Sequence, residues 1–414
     1  MDAEKTRKII GRRIHLSRKE AALTLRELSI QTGLSPAHIS RIERGLVHAR
    51  ANSIERLLRV LGIDFHFDHA LHDKLSSLSK PLYHDILYVD YTRARQRFDK
   101  LFEAHDKFSN SLVAVDYHLV MLMTAVHLQM DREWIEAFYR PLSVMEDLMD
   151  DAQHELFLLE KGIYSHLLEQ YEEARALFQQ TIELGRDSHL QAIAYYMHAI
   201  AVFNDYTRFH EALSFLDSAV EIFSRYSNFE RLNRAKSAQQ TLYIYLHRFD
   251  RFEQSYADTM AYARRHGALA LYHFTQLNRA RYHVVRGNYE AATETLESFT
   301  LPVCTYYLLK MYAAFIEGRY AEAQAIYEDY EHGADFPRQT EMDLLEAMGF
   351  AVEGKEERYI EALSTVVDKA FQTGDFLVSM LAVELYLQVL KQQRRYKEAY
   401  LKASQYLSML RKTK

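Results

Sequence analysis

Basic side chains that could bind a polyanion are concentrated at the beginning of this 414-residue sequence. Residues 1–62 contain 13 Lys and Arg against 6 Asp and Glu, a net charge of +7. The other residues contain 38 against 51, a net charge of −13. Arg and Lys neutralise phosphates, and Arg can also donate two parallel hydrogen bonds to guanine. We therefore expect this basic segment to meet nucleic acid and the acidic remainder to point away from it.

Helix start and stop signals place four short helices in this segment. Thr24 and Glu27 form a capping box, and Gly33 suits the left-handed residue that closes a helix. Ser35 is a good N-cap and is followed by Pro36 at the first helical position. Two short helices joined around Gly33 predict a helix-turn-helix. The four predicted helices cover about 4–21, 24–33, 35–45 and 53–61.

The stretch "IGRRIHLSRKEAALTLRELSIQTGLSPAHISRIERGL" resembles the phage-repressor-like helix-turn-helix domains of the Cro/C1 or XRE type. The third helix of such domains lies in the major groove. The resemblance implies that Pro36, Ala37, Ser40 and Arg41 face bases, with His38 near a phosphate. Arg41 is the best candidate for direct readout because Arg can grip the O6 and N7 atoms of guanine.

Backbone contacts are expected on both sides of the third helix. Arg44 and Arg50 follow it and could meet phosphates, which position a protein on DNA without specifying sequence. The family often has Gln, a phosphate contact, just after the cap of the second helix, but this sequence has Leu25 there. Contacts to the DNA backbone would then be weaker, or Arg26 would compensate for the missing one.

The resemblance also implies an ion pair between Arg18 and Glu43 that ties the first helix to the third. We interpret this pair as structural and not as a DNA contact, since a buried pair can contribute to the specificity of a fold.

A second pattern, an aromatic residue followed three positions later by a small one, recurs nine times at spacings of 31 to 43 residues. Only 13 Gly and 5 Pro occur in the chain, which favours helices throughout. The pattern resembles the tetratricopeptide repeat, in which the aromatic fills the space between units and the small residue lets helices approach. The nine pairs are Tyr91-Ala94, Trp134-Ala137, Tyr171-Ala174, Phe209-Ala212, Phe252-Ser255, Tyr289-Ala292, Tyr320-Ala323, Tyr359-Ala362 and Tyr396-Ala399.

Together the two patterns predict an all-α fold. We expect a helix-turn-helix DNA-binding domain at 1–66, a linker at 67–80, and a right-handed tetratricopeptide-like superhelix of about nine units at 81–414. The repeat domain would bind a ligand and dimerise.

Polar residues on the first helix of each repeat are expected to line a concave groove. Asn and Gln can donate to and accept from a peptide backbone, and Arg281 could take a ligand carboxylate. Counting back from each aromatic gives the candidates His198, Asn204, Gln240, Thr241, Asn278, Arg281, Tyr312, Glu384 and Gln388.

A repressor-type head joined to such repeats is similar to the peptide-sensing Rap–Rgg–NprR–PlcR–PrgX regulators of Gram-positive bacteria, most of all to the NprR-like members. The resemblance implies a homodimer, a short peptide ligand and promoter binding that changes when the peptide docks. Two other functions stay open at this point. The repeats could sequester another protein such as a response regulator, or they could form a phosphatase acting on a phospho-aspartate partner.

Other chemistry has weaker support in the sequence. Cys304 is the one cysteine, so an internal disulfide and a Cys-based zinc site are excluded. The histidines His66, His69 and His72 are spaced for a shared metal but are interpreted as linker residues. No phosphate loop, nucleophile elbow, leader or apolar run of membrane length is found. We therefore expect a cytoplasmic protein without cofactor, metal, catalytic residue or membrane contact.

Overall fold

Helices alone build the parts of the chain that the structure describes. The computed structural model covers residues 3–68, 70–203, 206–331 and 339–412. Within those ranges no β-strand occurs, and one isolated bridge joins His66 to Ser111. The chain divides into a first unit, residues 1–194, and a second unit, residues 195–414. The predicted all-α fold is confirmed.

The head, residues 3–66, is the helix-turn-helix domain that the sequence predicts. The capping box of Thr24 and Glu27 is present, and Ser35 accepts a hydrogen bond from the backbone N–H of His38. Gly33 closes the second helix at φ 68°, in the left-handed region that glycine adopts without strain. The helices of the head are α1 (Ala3–Glu20), α2 (Leu25–Thr32), α3 (Pro36–Glu43) and α4 (Ala51–Val60).

The core of the head brings α1 and α3 into close contact. Ile14, Leu28 and Ile39 have no exposed area. A Cβ atom added to Gly11 of α1 would lie 2.3 Å from the carbonyl oxygen of Ile42. Only glycine permits this approach, a requirement that the sequence analysis did not identify.

Seven helices of the first unit follow the head, and an eighth, α12, runs from the first unit into the second. Most of them form antiparallel pairs, with short α7 as an addition. They are α5 (Ala70–Leu87), α6 (Tyr91–Phe102), α7 (His105–Ser109), α8 (Ala114–His127), α9 (Arg132–Met145), α10 (Asp151–Leu167), α11 (Tyr171–Leu184) and α12 (Ser188–Ala201).

The second unit continues the pairing. Its helices are α13 (Phe209–Arg225), α14 (Phe229–Tyr245), α15 (Phe249–His266), α16 (Leu269–Val285), α17 (Tyr289–Glu297), α18 (Cys304–Ile316), α19 (Tyr320–Glu331), α20 (Gln339–Val352), α21 (Glu356–Thr373), α22 (Phe376–Gln392) and α23 (Tyr396–Lys412). Short 3-10 turns lie at Glu146–Leu148 and Tyr206–Arg208.

All nine aromatic-and-small pairs fall on the second helix of a helix pair, and six of the aromatics are the first residue of that helix. The irregular spacings have structural causes. The 43 residues between Tyr91 and Trp134 accommodate α7, and the 31 residues after Tyr289 reflect the nine-residue helix α17.

The small residue packs as predicted at most of these positions, but not at every one. Five of the alanines, Ala94, Ala174, Ala212, Ala292 and Ala323, have no exposed area. Ala137 is exposed, so its predicted role is wrong, and the neighbouring Phe138 is buried in its place. The aromatics Tyr320 and Tyr396 are also exposed and fill no gap between units.

The linker predicted at 67–80 needs correction, because α5 begins at Ala70. Leu71, Leu75 and Leu82 recur on one helix face and are buried, which explains why this segment is helical. The short connection before α5 is itself tied down, since the backbone N–H of His66 donates to the carbonyl of Asn110 at 2.8 Å.

Within the described ranges, no helix is both long and apolar enough to cross a bilayer.

Candidate functional site

The third helix of the head presents its predicted DNA contacts outward. Pro36, Ala37 and Arg41 are exposed, and His38 and Ser40 are half-buried. The opposite face is packed, because Ile39 and Ile42 are 0% and 2% exposed. A short helix with one apolar face buried and one polar face free has the form needed to enter a groove of DNA.

A buried ion pair fixes the position of this helix. Arg18 of α1 donates to both carboxylate oxygens of Glu43 at 2.6 and 2.8 Å, and His15 Nδ1 lies 2.9 Å from the same carboxylate. Burial raises the pKa of the Glu43 carboxyl, but the hydrogen bonds and charges of Arg18 and His15 outweigh burial and lower that pKa overall. The predicted pairing is confirmed, and its burial agrees with a structural role.

The predicted phosphate contacts surround α3. Arg26, Arg44 and Arg50 are exposed, and Arg44 Nε donates to the carbonyl of Ser40 at the helix end. Leu25 is half-buried at the start of α2. DNA contact by these residues stays a prediction.

A cavity of about 640 Å³ lies in the second unit. It is lined mainly by first helices of repeat pairs, as the sequence analysis expected of a binding groove. Of the nine predicted ligand contacts, Thr241, Asn278 and Arg281 line it. Phe274 and Leu269 supply apolar lining and are 46% and 65% exposed.

Asn278 is the centre of a polar network at the wall of this cavity. Its amide nitrogen donates to the carbonyl of Ser237 at 2.9 Å and to the side-chain oxygen of Gln240 at 3.3 Å. Its amide oxygen accepts from the hydroxyl of Thr241 and from the guanidinium of Arg281. A ligand that binds Asn278 must therefore replace one of these hydrogen bonds.

The guanidinium of Arg281 has a hydrogen-bond donor that this network does not use. Its Nε is buried and has no hydrogen-bond partner among the described residues. No carboxylate of those residues lies within 4.0 Å of its guanidinium, although Thr241 and Asn278 accept from one of its nitrogens. A buried cation without a carboxylate partner favours an anionic ligand group.

The other predicted ligand contacts lie elsewhere. Gln240 is fully buried behind the cavity and donates to the hydroxyl of Thr259 at 3.2 Å. His198 is buried with its ring centroid 4.2 Å from that of Phe215. Gln388 is exposed and does not line the cavity. Asn204 lies outside the described residues.

Tyr312 and Glu384 form a pair of their own. The hydroxyl of Tyr312 donates to Glu384 at 2.7 Å, and the tyrosine has no exposed area. Burial, together with the charge of Glu384, raises the pKa of Tyr312 well above its ordinary value. Tyr312 was expected to face a groove, but its side chain is used for packing and is closed to a ligand.

The sequence analysis missed several charged residues of the cavity. Glu230 and Arg234 line it together with Ser237 and Thr241, at spacings that place all four on one face of α14. That spacing was a usable signal. Glu341 of α20 lines it as well and accepts from the hydroxyl of Thr305 at 2.8 Å, but α20 is too distant in sequence to be foreseen.

No metal site is evident in the parts of the chain that the structure covers, since no three His, Cys, Asp or Glu side chains converge there. His69, the middle member of the spaced histidines, lies outside the described residues.

Residues 9–66 match a family described as a helix-turn-helix domain. Three solved structures resemble the chain over 82% of its length. They are a Rap protein complexed with Competence and Sporulation Factor (11% identity, 98% of that chain, TM-score 0.65), the apo form of the quorum sensor NprR from B. thuringiensis (13%, 99%, 0.59) and the apo form of RapI (12%, 97%, 0.54). No curated protein matches the sequence.

At such low identity these likenesses show a shared fold. They agree with the resemblance drawn from the sequence: the chain combines a helix-turn-helix domain with the tetratricopeptide-like fold of Rap and NprR proteins.

Proposed function

We propose that this protein is a peptide-responsive transcription regulator. In this proposal the head binds promoter DNA, and a short signalling peptide in the cavity of the second unit controls that binding. The protein acts in the cytoplasm as a homodimer, with two heads that read two half-sites about one helical turn, or a multiple of it, apart.

The observation that carries the DNA-binding half is the exposed face of α3. Arg41 stands free on that face while the buried pair of Arg18 and Glu43 holds the helix in place. Arg41 is therefore accessible to a guanine in the conformation described. The net charge of +7 over residues 1–62 gives the head the attraction to phosphates that any DNA reader needs.

The cavity supports a peptide ligand. Its volume of about 640 Å³ is within the roughly 300–1,000 Å³ of small-ligand sites. Its lining carries both signs of charge, with Arg234 and Arg281 against Glu230 and Glu341, which suits a molecule with an amine and a carboxylate. Asn278 offers the amide that a peptide backbone can engage. The fold shared with a quorum sensor gives further support.

Peptide binding and DNA binding are coupled if the peptide has different affinities for different forms of the dimer. A peptide alters DNA binding only as far as it prefers one form of the dimer over another. We propose that peptide binding changes the spacing of the two heads. Structures of the free and peptide-bound dimer with identical head spacing would contradict this mechanism.

The DNA-binding half is tested by fluorescence anisotropy on a library of DNA from around the protein's own gene, at two salt concentrations. We expect sequence-preferring binding that weakens with salt and is reduced about 5- to 150-fold by Arg41→Ala, the equivalent of about 1–3 kcal/mol. The matched control is Arg59→Ala, which removes an exposed arginine of α4 outside the predicted DNA surface.

Failure of this experiment has a defined meaning. If the protein binds no DNA with preference, even after addition of a peptide-containing culture extract, the regulator proposal is wrong. The alternative is then a repeat scaffold that sequesters another protein such as a response regulator. That scaffold would form a stable protein complex that is indifferent to Arg41→Ala.

The peptide half is tested on a library of short peptides with free carboxyl termini. Peptides selected by the wild-type protein should bind Arg281→Gln at least about tenfold more weakly, since one charge-assisted hydrogen bond is lost. Gln388→Ala, an exposed residue away from the cavity, should leave affinity unchanged.

A further inference from the structure

A second cavity, of about 440 Å³, lies between the head and the first repeat pairs within the first unit. Helix α1 of the head forms one wall, and α7, α8 and α9 form the other. The lining residues are Arg13, Leu16, Lys19, Glu20, His105, Ser109, His118, Ala137, Arg140 and Pro141.

His118 is the most unusual member of this lining. It is 4% exposed, and its Nδ1 has no hydrogen-bond partner among the described residues. Burial, the largest cause, together with the charges of the neighbouring His105 and Arg13, lowers the pKa of His118 to about 3. The ring is therefore neutral at physiological pH. A buried polar nitrogen without a partner is costly, and a residue that lines a cavity can be satisfied by a molecule bound there.

The charged part of the lining carries three cations, Arg13, Lys19 and Arg140, and one carboxylate, Glu20. Arg13 donates to Asn110 and lies 3.4 Å from Glu20, and Arg140 pairs with Glu136 at 3.1 Å. Lys19 is exposed, and no carboxylate of the described residues lies within 4.0 Å of its amine. One positive charge at this cavity thus remains available to a ligand.

The buried part of the lining combines the polar Ser109 and His118 with two apolar residues. Leu16 and Pro141 are buried and face the cavity from opposite walls. A ligand that satisfies both parts needs an apolar body and an anionic end.

We infer that this cavity is a second ligand site that binds a small amphipathic carboxylate, with its carboxylate at Lys19 and its body between Leu16 and Pro141. Such a ligand would contact the head and the repeats at once. It would reinforce a junction already formed by the ion pair of Arg12 with Asp147 at 3.2 Å. Binding would therefore stabilise the docked head, by an amount that rises with the logarithm of ligand concentration once the ligand exceeds its Kd.

Binding at this site can be followed by the fluorescence of Trp134, the single tryptophan of the chain. The ring of Trp134 lies 4.9 Å from that of Phe102, which lies 5.1 Å from the ring of His105 at the cavity. We would titrate the full-length protein with benzoate and with hexanoate at constant ionic strength, and follow Trp134 fluorescence together with the heat of binding. Benzamide, which has nearly the same shape as benzoate and no charge, is the control ligand.

We expect a saturable change with at least one of the two carboxylates and at least tenfold weaker binding of benzamide. Lys19→Gln should weaken carboxylate binding about tenfold, whereas Lys74→Gln, an exposed lysine of α5 outside the lining, should not. His118→Phe should weaken binding, because it removes the imidazole nitrogen from the lining. Because His118 is buried and its variant could fail to fold, the exposed Lys19 carries the test.

Absence of saturable binding by both carboxylates would overturn the inference. Equal affinity for benzamide, or indifference to Lys19→Gln, would overturn it as well. None of these results depends on DNA or on the cavity of the second unit. The proposed regulator function could therefore stand if this second site were refuted, and the second site could stand if the regulator function were refuted.

Discussion

In α3 of the head, the side chains predicted to meet DNA point into solvent, whereas those predicted to meet a peptide in the second unit are mostly buried and bonded to one another. Arg41 is exposed, but Asn278 is 4% exposed and uses both ends of its amide within the protein. The DNA binding that we propose therefore uses side chains that are already accessible. The cavity has to exchange internal hydrogen bonds for ligand bonds, which makes a conformational response to binding part of its chemistry.

The largest effect is expected where the head depends on a buried charge. Arg18→Met leaves the Glu43 carboxylate, itself 4% exposed, with His15 as its remaining partner. The free energy of unfolding of the head should fall by about 3–5 kcal/mol, since a buried carboxylate that loses its guanidinium partner is costly. Hydrogen exchange at the amides of α3 measures this.

Two further variants sharpen the test. Arg59→Met, on the exposed face of α4, should change stability by less than about 0.5 kcal/mol. The double variant Arg18→Met with Glu43→Leu should regain most of the loss, because both charges are then gone. Normal protection of α3 in Arg18→Met alone would show that the pair does not hold the helix.

The next effect is a dependence of the free energy of unfolding on pH. It comes from His118, which is buried in the first unit. The pKa of His118 is lowered to about 3, so below its ordinary 6.5 the unfolded chain takes up a proton that the folded chain excludes. The stability that the neutral His118 contributes is fully present above pH 6.5 and is lost as the pH falls toward 3. The loss is about 1.4 kcal/mol per pH unit, or about 2 kcal/mol at pH 5.

Urea denaturation followed by Trp134 fluorescence at pH 7 and pH 5 measures this loss. His118→Phe should reduce the pH dependence, and His72→Phe, at an exposed position, should not. The remainder should come from His105, His166 and His283, because burial lowers the pKa of each. An unchanged slope in His118→Phe would assign the acid sensitivity to other groups.

A smaller effect is expected from the polar network behind the cavity. Gln240→Leu deprives Thr259 and Asn278 of a buried hydrogen-bond partner and should destabilise the second unit by about 1–3 kcal/mol. Hydrogen exchange in α14 and α16 reports it. Gln388→Ala, at an exposed site, should be neutral. If the two variants behave alike, the network does not contribute to stability.

The smallest effect concerns the start of α3. Ser35 accepts a hydrogen bond from the backbone N–H of His38, so Ser35→Ala should cost about 1 kcal/mol of helix stability. Ser35→Asn keeps a capping oxygen and should retain most of it. Hydrogen exchange at the first turn of α3 distinguishes the two, and equal loss in both variants would argue against the cap.

Local features of the chain could be predicted because their causes lie within a few residues. Helix ends are satisfied by neighbours, so Thr24, Gly33 and Ser35 mark them directly. The recurring aromatic and small pairs likewise mark each second helix. The pair of Arg18 and Glu43 came from family resemblance, and the structure confirms its geometry.

Features that depend on distant segments were not predictable in this way. Exposure of Ala137 follows from the register of α9 against its neighbours, and a spacing pattern cannot set that register. Tyr312 faces inward because Glu384, 72 positions away, accepts its hydroxyl. Glycine at position 11 is needed only because the backbone of α3 passes beside it.

The sequence by itself determined the helices, their pairing and the presence of a helix-turn-helix head, because helix period, caps and repeats are short-range properties. Tertiary structure alone decided which polar side chains share a cavity. Thr241 and Arg281 meet there with Glu341 because α14, α16 and α20 bury their apolar faces against neighbouring helices. It also decided that α1 of the head and α9 of the repeats enclose His118.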